Sequence, residues 1–284
     1  MNGVITFIVY SNFNRSLILL ILVVLPLVLT AQEENDEMRL FFEEDGQVLR
    51  LKADNFKLYP ISVKVNFELK GLQPTDDLPE IMVLPGEASD YELLTFSIPE
   101  GRSWGYKYAF SYYSGDANAV HNDDHVYLIP YKSGERYKLS QGYNGSFSHQ
   151  NENSLDFTMP KGTEITAARA GRVVDLKEDS DRGCPSAECN DYGNFVRILH
   201  SDGTMADYYH LQQNGALIEL GQFIEAGDVI AEAGATGWAS GVHLHFIVFK
   251  PTINGRMSIP TLFLTENSKG EYLKEDRSYL SVRH

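Results

Sequence analysis

His243-Leu-His-Phe-Ile-Val-Phe249 is an apolar run carrying two histidines one residue apart. It reads as a β-strand, so the two rings project from the same face. Two imidazoles on one buried face each need a hydrogen-bond partner or a metal, because a buried ring nitrogen without either is costly. The pattern alone leaves both open. Around it lie further short strands, Arg172 to Leu176, Phe195 to His200, Met205 to Tyr209, Phe223 to Ile224 and Val229 to Glu232. Ser201-Asp202-Gly203 has hairpin-turn chemistry between two of them. Gly221, Gly227, Gly234, Gly237 and Gly241 punctuate the later part, as the tight corners of a small antiparallel β-barrel or groove require. Residues 141–267 are therefore expected to form one all-β domain.

The preceding stretch, residues 32–140, is also strand-rich. Ile61, Val63, Val65, Phe67 and Leu69 alternate with Ser62, Lys64, Asn66 and Glu68, which buries one face of a strand. Tyr106, Tyr108, Phe110 and Tyr112 repeat the period, and Val126 to Pro130 reads as another strand. With turn clusters between them, these strands predict an N-terminal antiparallel β-sandwich of immunoglobulin-like size. Nothing in it has a catalytic pattern. His121-Asn-Asp-Asp-His125 resembles a metal-ligand cluster, but it lies in a polar stretch between two strand candidates and is expected to be a solvated loop. The tail, residues 268–284, is polar and of mixed charge, expected as a loosely packed end or a helix over one face.

The start of the chain bears on compartment. Leu17 to Leu29 is unbroken apolar sequence preceded by Arg15, the only charged residue among the first 31, and it ends at Thr30-Ala31 before a polar turn of composition. Those are the proportions of a signal peptide over residues 1–31, and the run is short for a spanning helix. The expectation is an exported protein, periplasmic or secreted, with no membrane span after cleavage. Cys184 and Cys189 bracket a short polar loop, and in an oxidising compartment they are expected to form a disulfide. The formal charge of −15 repels phosphate backbones and anionic headgroups, so nucleic acid is not an expected partner.

Four histidines, His149, His210, His243 and His245, fall at strand ends or in strands of the second region, together with Asp156. Neutral imidazole and carboxylate suit a zinc site with an open position, where three protein ligands leave room for water. Further histidines can then carry protons.

The order of motifs resembles the lysostaphin-type (LytM-like) zinc metallopeptidases. The matching stretches are Ser148-His149 and Asp156-Phe-Thr-Met-Pro-Lys-Gly-Thr-Glu-Ile-Thr-Ala-Ala-Arg-Ala-Gly-Arg-Val173. Gly193-Asn-Phe-Val-Arg-Ile-Leu-His200, Asp202-Gly-Thr-Met-Ala-Asp-Tyr-Tyr-His-Leu211 and Gly221 to Gly237 follow, and Gly241-Val-His-Leu-His-Phe246 closes the set. The resemblance covers most of residues 141–250 and none of the N-terminal half. It implies His149, Asp156 and His245 as ligands of one zinc ion per chain, with His210 and His243 as catalytic histidines. It offers Tyr143 as an oxyanion-stabilising residue. Two departures stand out. Six residues separate His149 from Asp156 where the family usually has three, which makes Glu152 a rival ligand; the register of Pro160-x-Gly162-Thr163 favours Asp156. Ile247 stands where the family often has glutamate, a change expected to act on ligand orientation.

The function implied is that of an exported zinc-dependent endopeptidase hydrolysing peptide bonds in peptidoglycan cross-links. Zinc-activated water is the nucleophile, its pKa lowered toward roughly 7, and histidine is the general acid and base. Tyr208, Tyr209 and Trp238 read equally as groove walls or as packing. The alternative is a non-catalytic wall-binding or amidase-regulating module, which the filled set of five positions disfavours. A lipoyl- or biotinyl-like carrier is a poor reading, because it needs a lysine at a hairpin tip and Gly221 to Gly237 contains none. The N-terminal sandwich has no partner legible in the sequence.

Overall fold

Ile61–Lys70 and Gly105–Ser114 pair antiparallel over their full length, with Ser62 opposite Tyr113 and Lys70 opposite Gly105. The apolar alternation of both strands fits one buried face: Val63, Tyr108, Phe110 and Tyr112 are buried, while Asn66, Glu68 and Lys70 are exposed. The structure, a computed structural model, describes residues 3–7, 33–34 and 37–283. The chain divides into two units, Met1–Ala117 and Asn118–His284.

In the first unit a four-stranded sheet has the order Gly3–Phe7, Gly105–Ser114, Ile61–Lys70, Met82–Leu84. A five-stranded sheet has the order Glu33–Glu34, Met38–Asp45, Val48–Asn55, Tyr91–Ser97, Gln73–Pro74. The two pack face to face. Phe42 of the second sheet lies 4.2 Å from Tyr106 and 5.3 Å from Tyr108 of the first, and Phe96 lies 5.4 Å from Phe67, centroid to centroid. Of the expected signal peptide, Gly3–Phe7 is described as the backbone of an edge strand on Gly105–Ser114. The apolar run Leu17 to Leu29 lies outside the described residues.

The second unit is built on one large antiparallel sheet. Its path runs Phe223–Ile224, Gly171–Lys177, Phe195–Leu199, Met205–Tyr209, His243–Thr252, Ser154–Thr158, Arg136–Gln141, Ser278–Leu280, with Gly255–Ser258 also paired to His243–Thr252. A three-stranded sheet of Glu164–Thr166, Val229–Ala233 and Leu211–Ala216 accompanies it. His243–Thr252 is the central strand. Leu244, Phe246 and Val248 enter the main core with Leu155, Phe157, Val196, Ile198 and Tyr208, and Ile247 and Phe249 are buried as well. Burial on both sides explains why this strand is a continuous apolar run interrupted only by histidine.

Three expectations are corrected here. The division between units falls at Ala117 rather than Ser140, because Tyr127, Ile129, Tyr131 and Leu139 have no exposed surface and join the second core. Val126 to Pro130 is not a sandwich strand: only Val126–Tyr127 is in strand conformation, parallel to Leu262–Phe263. The tail is neither loose nor helical, since Ser278–Leu280 pairs with Arg136–Gln141 and both Leu273 and Tyr279 are buried.

The loop from His121 to His125 is solvated only in its middle, at Asn122 to Asp124. His121 Nε2 lies 3.2 Å from the Tyr127 hydroxyl, and the His125 ring packs edge-on to Tyr127 at 4.9 Å. His200 meets Tyr127 from another side and is itself 2% exposed. Among the described residues these three do not form a metal-ligand group.

Candidate metal centre

Register places the first two site residues side by side. In the pairing of Ser154–Thr158 with His243–Thr252, Asp156 stands directly opposite His245. The neighbour on the other side, Met205–Tyr209, sets Tyr209 opposite His245 and ends immediately before His210. His149 comes from the loop ahead of Ser154–Thr158. Its Nδ1–H donates to the Gly142 carbonyl (3.0 Å), which turns Nε2 toward Asp156 and His245.

Three ligand atoms converge. His149 Nε2 is 3.2 Å from His245 Nδ1 and 3.2 Å from Asp156 Oδ1, and His245 Nδ1 is 2.9 Å from Asp156 Oδ1. Ligands about 2.0–2.1 Å from a tetrahedral ion stand about 3.3–3.4 Å apart, so this triangle is close to the right size for zinc. Among the described residues this is the one group of three suited to hold a metal. Two neutral nitrogens and one carboxylate oxygen are the donor set of a three-ligand catalytic centre.

The electrostatics favour a cation. Burial alone would raise the Asp156 carboxyl, but hydrogen bonds and charge from His149 and His245 outweigh it and hold the group well below the usual carboxylate range. Burial would likewise lower His149, and Asp156 reverses that. The second oxygen of Asp156 accepts from Gln141 Nε2 at 2.9 Å. Gln141 also donates to Ser148 Oγ, and its Oε1 accepts the backbone N–H groups of Phe147 and Ser148. One buried amide thus ties the aspartate to the loop that presents His149. Sequence reading passed over Gln141; its only signal is its place at the strand end just before the first histidine loop.

His210 and His243 face the same groove. Their ring centroids are 4.5 Å apart, and His210 lies 5.9 Å from His245. Nδ1–H of His210 donates to the Thr236 carbonyl (2.7 Å) and that of His243 to the Gly241 carbonyl (3.0 Å). Each carbonyl selects the tautomer whose Nε2 is free to accept a proton. Burial, followed by the nearby His243 and His245, lowers His210 to about 3, so it is neutral throughout the physiological range. Its backbone is left-handed, φ 65°, at the step from the Met205–Tyr209 strand into Leu211–Ala216.

The groove measures about 890 Å³ and includes Phe147, Lys177, Phe195, Trp238 and Arg256 besides the histidines. Cys184 and Cys189 are joined by a disulfide in the loop beside it. That loop is seated by backbone contact, Gly183–Cys184 running parallel to Gly237–Trp238. A Cβ on Gly183 would meet the Ala235 carbonyl at 1.9 Å, so only glycine allows the approach. Trp238 and Tyr209 line the groove, whereas Tyr208 is wholly buried in the core.

Tyr143 is not among the residues lining the groove, and its expected place beside an oxyanion is corrected. Its hydroxyl accepts from the Thr261 N–H (3.0 Å) and lies 3.1 Å from Thr261 Oγ1. Burial pushes the phenol up to about 12. Glu152, the rival ligand, stands outside the converging triangle, with Oε1 3.7 Å from His245 Nε2.

Residues 150–258 match Peptidase family M23. The match begins one residue after His149 and includes Asp156, His210, His243 and His245. Lysostaphin of Staphylococcus simulans is 28% identical over 130 residues, 45% of this chain and 23% of that protein. Peptidoglycan DD-endopeptidase ShyB of Vibrio cholerae is 29% identical over 146 residues, 48% of this chain and 32% of that protein. The chain thus spans between about a quarter and a third of the length of these relatives. Among solved structures, the catalytic domain of lysostaphin from Staphylococcus simulans aligns at 22% identity over 49% of this chain and 87% of that one, with a TM-score of 0.32. Through residues 150–258 of its second unit, the chain is similar to the peptidases of family M23, lysostaphin among them.

Proposed function

We propose that the protein is an exported zinc-dependent endopeptidase that cleaves peptide bonds in peptidoglycan cross-links. The observation that carries the reading is the meeting of His149, Asp156 and His245 in a triangle of zinc-site size, with two further histidines on the same groove. The family match and the DD-endopeptidase name of ShyB support the reaction class. Export rests on the signal-peptide proportions of residues 1–31.

His149 Nε2, Asp156 Oδ1 and His245 Nδ1 hold the metal in this reading. Bound there, zinc supplies a Lewis acid for the scissile carbonyl and an acidified water as nucleophile. The chain's own residues do the rest. Gln141 orients the Asp156 carboxylate. His210 and His243, both with Nε2 open, receive a proton from the attacking water and return one to the departing amine. Such help is typically worth 10²–10⁴-fold. An extended peptide fits a groove whose floor is the central sheet and whose sides include Phe147 and Trp238.

Digestion of purified sacculi with and without a chelator, followed by mass identification of released muropeptides, tests the proposal. Chelator-sensitive loss of cross-links is expected. Unchanged cross-linking under zinc-replete conditions would transfer the reading to the non-catalytic module.

A further inference from the structure

The ring of His245 has two faces to satisfy. Nδ1 is turned to Asp156 and His149, and Nε2 is turned the other way, to Glu152. His149 has an acceptor behind it in the Gly142 carbonyl. For His245 the central strand offers none nearby: the next residue on the same face is Ile247, with Ser154 opposite it across the sheet.

The long segment between His149 and Asp156 supplies one instead. Asn151 is left-handed (φ 61°), and the Glu152 N–H donates back to the His149 carbonyl at 2.9 Å, closing a tight turn. The Glu152 carbonyl accepts from the Asn144 N–H, and the Asn153 N–H donates to Ser258 Oγ. The backbone at Glu152 is therefore held from both sides. Its carboxylate is held as well: Ser154 Oγ donates to Oε1 at 2.9 Å and Arg256 Nη2 to Oε2 at 3.3 Å. Arg256 is in turn anchored by Nη1 on Asp207, which has no exposed surface and is gripped by Arg197 through two bonds of 2.7 and 2.9 Å. This chain of contacts ends with Oε1 aimed at His245.

We propose that Glu152 is a positioning residue for the metal centre. Its carboxylate takes the Nε2–H of His245, selecting the tautomer that leaves Nδ1 free to ligate and raising the electron-donating power of the ring. The 3.7 Å separation is an ion-pair distance, longer than a hydrogen bond, and less than 1 Å of side-chain movement closes it. The segment between His149 and Asp156 thus supplies an acceptor that the central strand, with Ile247 opposite Ser154, does not carry. The inference rests on the metal-centre reading above.

Zinc affinity measured by competition with a chromophoric chelator tests it without reference to substrate. Glu152→Gln retains the shape and the acceptor for Ser154, so a merely structural role would survive the change. Its zinc dissociation constant is expected to rise about 10–100-fold, with Glu152→Ala at least as weak, and the melting point of the metal-free chain unchanged. In the zinc-loaded wild type the His245 Nε2–H should be protected from exchange in ¹⁵N-edited spectra, and Glu152→Ala should lose that protection. Wild-type affinity in both variants, or an unprotected Nε2–H in the wild type, overturns the inference alone. A wild-type chain that binds no zinc removes the metal-centre reading along with it.

Discussion

Replacing His200 with asparagine should blunt the acid sensitivity of the second unit. His200 is 2% exposed, its Nδ1–H donates to the Ala170 carbonyl at 2.9 Å, and its Nε2 has no partner among the described residues. Burial, opposed by the bond to Ala170 and reinforced by the charge of Arg169, lowers it to about 4. In the unfolded chain the ring has an ordinary pKa of about 6.5. Below that value the unfolded state binds a proton that the folded state refuses, so stability is whole above about 6.5 and drains as pH falls toward 4. Integrated between pH 7 and pH 5, the loss assigned to this ring is about 2 kcal/mol. Asparagine can keep the donor to Ala170 and cannot titrate. Its smaller volume costs stability equally at both pH values, and the other titrating groups cancel in the comparison. Urea unfolding followed by Trp238 fluorescence in a Trp104→Phe background reads the second unit by itself. The wild type should lose about 2 kcal/mol more than His200→Asn between pH 7 and pH 5. Equal losses in the two proteins would refute the assignment of a suppressed proton to this site.

His245→Ala and Asp156→Ala should each lose bound zinc, measured by elemental analysis after gel filtration, together with hydrolysis of sacculi. His210→Ala should retain zinc at wild-type stoichiometry while turnover falls about 10²–10⁴-fold, which separates proton transfer from metal binding in one pair of assays. Reducing the Cys184–Cys189 bridge should lower stability by roughly 2 kcal/mol on the chain-entropy view, because the ring it closes is short. Melting with and without reductant measures it, compared with a Cys184→Ser, Cys189→Ser double variant that should show no reductant effect.

Much of the second unit was readable because period-2 alternation and hairpin chemistry are local. Met205–Tyr209 and Phe223–Ile224 sit where the residues place them, and the shared face of His243 and His245 follows from strand geometry. The boundary at Ala117 was not readable. Tyr127 and Ile129 are as apolar as sandwich residues, and only the tertiary fold says which core they enter. Ser278–Leu280 is three residues long, too short for any periodicity to announce it. At the site, the ligand set came from a resemblance rather than from spacing, and which ring nitrogen faces the centre depends on the Gly142 carbonyl and on a turn through left-handed Asn151. Tyr143 misled because proximity in sequence to His149 says nothing about where a phenol points once Thr261 is available to it.

Asp156, His245 and Tyr209 lie abreast on three adjacent strands. Ladder bonds rather than loop conformation set their spacing, so the reactive geometry behaves as a fixed chassis. The bridged connection that holds Cys184 can be remodelled without disturbing it, whereas the lengthened one carries His149 and Glu152 and is tied to the centre. Under the proposed function, variation in what is cut is therefore free to accumulate in the walls of the groove, while the residues abreast on the sheet stay put.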